Sequence, residues 1–293
     1  MVAIALSRIR TGDFIELTKP RIVLLVMVTA AAGFWMAGPS AAQAMVLFHL
    51  LLGTALVAGG TSALNQVSER DEDALMRRTR LRPLPSGRVD PGPAGAFAWM
   101  LGAAGVMYLA AAVNPLTGML AAATLLSYVF LYTPLKKRTS IATLIGGVPG
   151  ALPIVGGWAA ATGTVDFSTW VLFWILFLWQ LPHFLALGWL YREDYARAGF
   201  KMLSNEDPSG RITFLNAVLY AGALVPISLA PTVLGLAGGL YFFAALGLSG
   251  WFFWAAVRAF RSTSVQTARQ LFRVSLAYLP ALLMVMGVDR LPA

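Results

Sequence analysis

The sequence predicts an all-α polytopic membrane protein: nine transmembrane helices in a bundle around a central cavity, with its site at the cytoplasmic face. Three observations predict it. The 293 residues are 58% hydrophobic and only 12% charged, with a mean hydropathy of +0.71, which excludes an ordinary soluble domain. Apolar stretches close to the ~20 residues that a bilayer requires recur along the whole chain. Basic residues cluster in alternate connections between those stretches. The chain is read as one integral-membrane domain, 1–293, with a cytoplasmic tail of about residues 1–21 and cytoplasmic loops at about 65–93 and 191–211.

In order, the spans are expected near 22–38, 45–64, 94–112, 117–133, 140–160, 169–190, 212–230, 233–257 and 272–289. No cleavable leader is expected before the first. Pro149 and Pro153 interrupt span five. Its glycines (Gly146, Gly147, Gly150, Gly156 and Gly157) fit either close helix packing or a broken helix lining a cavity.

Orientation follows from lysine and arginine. Arg8, Arg10, Lys19 and Arg21 precede span one, and Arg70 through Arg88 follow span two. Lys136, Lys137 and Arg138 follow span four, and Arg192, Arg197, Lys201 and Arg211 follow span six. Arg258, Arg261, Arg269 and Arg273 follow span eight, while Arg290 alone falls on the other side. The positive-inside rule then puts the N-terminus in the cytoplasm and the C-terminus outside. The rule also explains most of the net charge of +9, so no nucleic-acid partner is implied; the surroundings are a lipid bilayer. With no cysteine, neither disulfides nor thiolate sites are possible.

The acids carry more information, because topology does not require them. Asn65, Glu69 and Asp73 recur every fourth residue, on one face of a helix. An amide and two carboxylates are hard oxygen ligands of the kind Mg²⁺ takes. Arg77, Arg78, Arg80, Arg82 and Arg88 follow, so a diphosphate site is expected at the membrane surface. Loop 74–93 is long and punctuated by Pro83, Pro85, Gly87 and Pro91, which suits a functional segment. In span six, Gln180 and His183 are polar groups at membrane depth, and Asp194 lies three turns beyond His183. Tyr132 to Thr139 forms a compact basic loop, read as a topology anchor or a phosphate clamp. The lone His49 reads as structural.

These motifs together resemble the UbiA-type intramembrane prenyltransferase superfamily. The matching residues are Leu17–Arg21, Asn65–Asp73, Ala74–Arg80, Arg82–Arg88, Tyr132–Lys136, Gly146–Gly147, Gly150–Ala151, Trp179–Phe184, Asp194–Tyr195 and Lys201–Leu203. The Trp-Gln-x-Pro-His-Phe run resembles the branch that farnesylates heme. The resemblance implies farnesyl diphosphate and heme b as substrates, with heme O and diphosphate as products. It implies Mg²⁺ on Asn65, Glu69, Asp73 and Asp194, and diphosphate contacts from Arg70, Arg77, Lys136, Lys137 and Lys201. His183 is implied at the heme, as a ligand or in positioning water. A bacterial inner membrane is implied, and partners from heme A synthase or terminal oxidase assembly. Two departures stand out. Glu69 occupies a position where many relatives have Asp, and Ala198 stands where a second acid would follow Asp194. A prenyltransferase for a quinone precursor or chlorophyllide is the alternative within the superfamily. A small-molecule transporter is the alternative outside it, but polar residues concentrate at one membrane face rather than deep in several spans.

Overall fold

The computed structural model describes residues 11–291; Arg8 and Arg10, assigned above to the cytoplasmic tail, lie outside the described residues. Short α1 (Thr11–Leu17) precedes α2 (Pro20–Met36). Then come α3 (Ala44–Ser68), α4 (Arg70–Leu75), α5 (Pro91–Ala112) and α6 (Pro115–Leu126). A π-helical turn at Ser127–Tyr132 joins α6 to the short α7 (Thr133–Leu135). The second half holds α8 (Ala142–Thr162), α9 (Phe167–Leu190), α10 (Arg192–Arg197) and α11 (Leu203–Glu206). It ends with α12 (Arg211–Val233), α13 (Gly239–Ser262) and α14 (Val265–Val288).

Eight helices are long and apolar enough to cross a membrane, and nine if α1 and α2, bent by 48°, count as one span. The long helices start where the sequence offers stops and caps. Proline occupies the first turn of α2, α5 and α6, where a missing N–H costs nothing. Asn114, Asp166 and Ser264 cap α6, α9 and α14 by accepting from the backbone N–H three residues on.

The long helices pack as a closed ring, each against its neighbour in chain order, with α14 returning to α2. Two cross-contacts, α2 to α8 and α9 to α14, draw the ring inward. Side chains fill the two halves as two apolar clusters, one centred on α8, α9 and α12–α14, the other on α2, α3, α5 and α6. The contact of α2 with α8 is backbone to backbone. A Cβ at Gly33 would overlap the Ile154 carbonyl oxygen, and one at Gly157 would overlap that of Ala30.

Three expectations change. The α8 helix is continuous through Pro149 and Pro153, close packing having prevailed over a break. Spans eight and nine are shifted, to Gly239–Ser262 and Val265–Val288. Arg258, Arg261, Arg269 and Arg273 therefore stand on helix ends, not in a loop.

Candidate active site

The α3, α4, α9, α10 and loop segments converge at one end of the bundle. The α3 helix ends at Ser68, Glu69 turns out of helical geometry, and α4 begins at Arg70. This corrects the expectation of one uninterrupted helical face. The spacing survives because the hydrogen bonds bridge the break: Glu69 N donates to Asn65 O at 3.0 Å and Asp73 N to Glu69 O at 2.8 Å. Asn65, Glu69, Asp73 and Asp194 are all buried.

Each carboxylate is matched by a cation. Lys136 Nζ lies 2.6 Å from Glu69 Oε1, and Arg82 Nη1 lies 2.7 Å from Asp73 Oδ2. Arg197 pairs with Asp194, which also accepts from Arg77 N at 3.4 Å. The other oxygen of Asp73, Oδ1, is buried with no hydrogen-bond partner, an orphan of the kind that marks an absent ion. Among the described residues no three His, Asp or Glu side chains close into a complete metal shell.

The π-helical turn places Lys136. Thr133 bonds back to Tyr128 O through both its N–H and its Oγ1, the latter at 2.9 Å. Thr133 Oγ1 also accepts from Asn65 Nδ2 at 3.5 Å. The Lys136 ammonium then sits 4.3 Å from the Tyr132 ring centroid. Burial opposes its charge, but Tyr132 and Glu69 outweigh burial and hold its pKa above the usual lysine range.

Two contributors escaped the sequence reading, in which both counted as topology charges. Lys19, in the left-handed region at φ 52°, donates to Asn65 Oδ1 at 3.3 Å. Withdrawal from water, followed by the nearby Arg82, pushes its ammonium down to about 7. Arg82 is the partner of Asp73. Nothing in the sequence marks either, since residues 19 and 82 meet the acids only in the fold. Loop 76–90 is pinned from outside as well. Arg88 pairs with Asp13 and Glu16 of α1 and donates to Leu81 O.

The other expected cations divide. Arg77 reaches Asp194 through its backbone, and Lys201 N donates to Lys136 O at 2.7 Å, so both lie beside the cluster. Lys137 pairs with Glu72. Arg70 faces solvent with Asp71, at 47% and 80% side-chain exposure, so the structure does not bring it to the acids. His183 is held elsewhere. Its ring stacks between Trp179 and Phe272, at centroid distances of 5.4 and 4.8 Å, and its Nδ1 lies 2.8 Å from Ser275 Oγ. Gln180 donates to Gly147 O at 2.7 Å, tying α9 to α8. His49 pairs with the Tyr108 hydroxyl at 2.6 Å, a tie between α3 and α5.

Comparison with known proteins agrees with this arrangement. The profile of the UbiA prenyltransferase family matches residues 26–279. A protoheme IX farnesyltransferase of Solibacter usitatus is 46% identical over 287 residues, covering 95% of this chain and 98% of the relative. One of Myxococcus xanthus is 45% identical over 290 residues, covering 96% and 95%. Among solved structures, digeranylgeranylglyceryl phosphate synthase has a TM-score of 0.81 at 16% identity, with 95% and 97% of the two chains covered. A UbiA homologue from Archaeoglobus fulgidus bound to GPP and Mg²⁺ has a TM-score of 0.70 at 14% identity, with 94% and 99% covered. These two likenesses concern the fold. With the paired acidic segments and the length of the family match, the chain belongs to the UbiA prenyltransferase family.

Proposed function

We propose that this chain transfers the farnesyl group of farnesyl diphosphate to a vinyl group of heme b, with addition of water, giving heme O and diphosphate. The observation that supports this best is the buried set of Asn65, Glu69, Asp73 and Asp194 among cations, in a chain 46% identical to a protoheme IX farnesyltransferase. The acid-bearing face is the cytoplasmic one, in a multi-pass protein of the bacterial inner membrane, because basic residues concentrate there.

The donor set fits a hard divalent cation: amide and carboxylate oxygens, one of them, Asp73 Oδ1, buried without a partner. Asn65, Glu69, Asp73 and Asp194 would hold Mg²⁺, which when bound supplies neutralising charge at the diphosphate oxygens. Lys136 and Arg82 now neutralise Glu69 and Asp73. With the acids otherwise engaged, both cations are free to turn to phosphate oxygens, and Arg82 can do so through two N–H groups. Lys19, Arg77, Lys137 and Lys201 lie within the same segments. The allylic C–O bond then breaks and its electron pair leaves with diphosphate. The vinyl π pair of heme forms the new C–C bond to the farnesyl cation. Water adds to the resulting carbocation beside the porphyrin ring and loses a proton. The apolar bundle keeps other water away from the farnesyl cation. His183, wedged between Trp179 and Phe272, is the proposed heme-side group.

The test is purified protein in lipid with heme b, farnesyl diphosphate and Mg²⁺, and mass spectrometry of the extracted porphyrin. A farnesylhydroxyethyl heme that disappears with chelator is the expected result. Unchanged heme from folded protein would sink the reading and favour a quinone precursor or chlorophyllide as acceptor.

A further inference from the structure

The end of α14 at the acid-bearing face carries a groove that the chemistry above leaves unused. A cavity of about 420 Å³ is lined by Gln266, Arg269, Gln270 and Arg273. Spaced by three and four residues, these side chains share one side of the helix. Both arginines are exposed. Among the described residues neither is in an ion pair, whereas Arg70, Arg82, Arg88 and Arg197 each have an acid. Two guanidinium forks one turn apart, with two amides beside them, form a row of donors without acceptors. The next turn of the same helix, Phe272 and Ser275, holds the His183 ring. The contacts of α14 with α2 lie at the opposite end. There Trp35 Nε1 donates to Gly287 O at 3.0 Å and Arg290 Nη1 to Trp35 O at 2.7 Å.

We propose that this groove takes the two carboxylate arms of the porphyrin acceptor, a proposal that rests on the heme-farnesylating reading above. Arg269 and Arg273, about 6 Å apart along a helix face, match two acid arms carried side by side on one edge of a macrocycle. Arginine pairs with each carboxylate through two parallel N–H bonds. The vinyl groups lie on the other side of the macrocycle. Anchoring the acid edge at the rim of the bundle thus leaves the reacting edge free. The diphosphate cations, Lys19, Arg82 and Lys136, belong to other segments, so the two anionic substrates are held by separate cation sets. The phosphate of an anionic lipid headgroup offers similar oxygens, and the experiment separates the two sources.

The experiment compares the full-length protein with the Arg269→Gln/Arg273→Gln variant in bilayers of zwitterionic lipid. It measures KM for heme b, for its dimethyl ester and for farnesyl diphosphate, together with heme binding by quenching of tryptophan fluorescence. The variant is expected to raise KM and weaken binding for heme b by roughly tenfold or more. KM for farnesyl diphosphate should stay unchanged, which also shows that the variant is folded. The dimethyl ester should be used equally by both proteins. Wild-type KM for heme b in the variant would overturn the groove while leaving farnesyl transfer intact. So would an equal loss for acid and ester, or a defect that appears only when anionic lipid is added. No farnesylated heme from the unsubstituted protein would overturn the underlying reading, and the groove with it.

Discussion

The α3 and α9 helices leave the bundle at the same face through the same backbone turn. Glu69 has φ −110° and ψ 17°, and Tyr191 has φ −113° and ψ 21°. Each is followed by a six-residue helix that begins with arginine. Aligned on that turn, Asn65, Glu69 and Asp73 correspond to Leu187, Tyr191 and Tyr195, and Glu72 corresponds to Asp194. The first segment thus presents three oxygen-bearing side chains where the second presents one acid and two phenol rings. Those rings grip the first segment's loop. The Arg78 guanidinium lies 5.3 and 5.2 Å from the Tyr191 and Tyr195 centroids and donates to the Tyr195 hydroxyl at 3.1 Å. Met76, Ala198 and Phe200 form a small apolar core between the two. The difference teaches that backbone shape and chemistry are set separately here. One turn serves twice, once to collect charge and once to close the site.

That division of labour can be broken by experiment. Asp73→Asn should cost the most, about 10³-fold in kcat, because it weakens a buried acid of the charge-collecting segment. Formation of farnesylated heme by the purified variant measures this, and a rate within fivefold of wild type would refute the assignment. Asp194→Asn should cost less, about 10- to 100-fold, since the second segment supplies a single acid. A larger loss than for Asp73→Asn would reverse the ranking of the two segments. Lys136→Met should raise KM for farnesyl diphosphate about tenfold and lower Tm, because an unpaired buried Glu69 costs roughly 3–5 kcal/mol. An unshifted unfolding curve would show that the pair is not buried in solution. Tyr195→Phe should have the smallest effect, about threefold in kcat/KM. It deletes one hydrogen bond while the ring stays under Arg78. A hundredfold loss would instead make the Tyr195 hydroxyl part of the chemistry.

All the long helices were legible, because apolar length is a one-dimensional property. The edges of α13 and α14 were not. Gln266, Arg269, Gln270 and Arg273 are too polar for a hydropathy window, yet they continue a helix whose N-terminus Ser264 caps. The acid motif was legible as a spacing, and its spacing outlived the break at Glu69 because the i to i−4 bonds persist. Partners were the hidden part. Lys19 and Arg82 looked like any topology charge, and only the fold carries them to Asn65 and Asp73. The thinness of the second motif was visible at Ala198. The role of Tyr191 and Tyr195 was not, since an aromatic at a membrane boundary is ordinary.

The glycine seam between α2 and α8 has a consequence in time as well as in space. It joins Ala30 and Gly33 to Ile154 and Gly157, and synthesis runs from the N-terminus. The α2 helix therefore enters the bilayer well before its partner exists, and waits beside α3. Release of α2 from lipid to backbone contact must come after α8 is made, so the first half of the chain reaches its final packing only when the second half has begun. Gly33→Ala or Gly157→Ala would then act on assembly, lowering the yield of inserted, folded protein rather than the activity of each molecule that completes the ring.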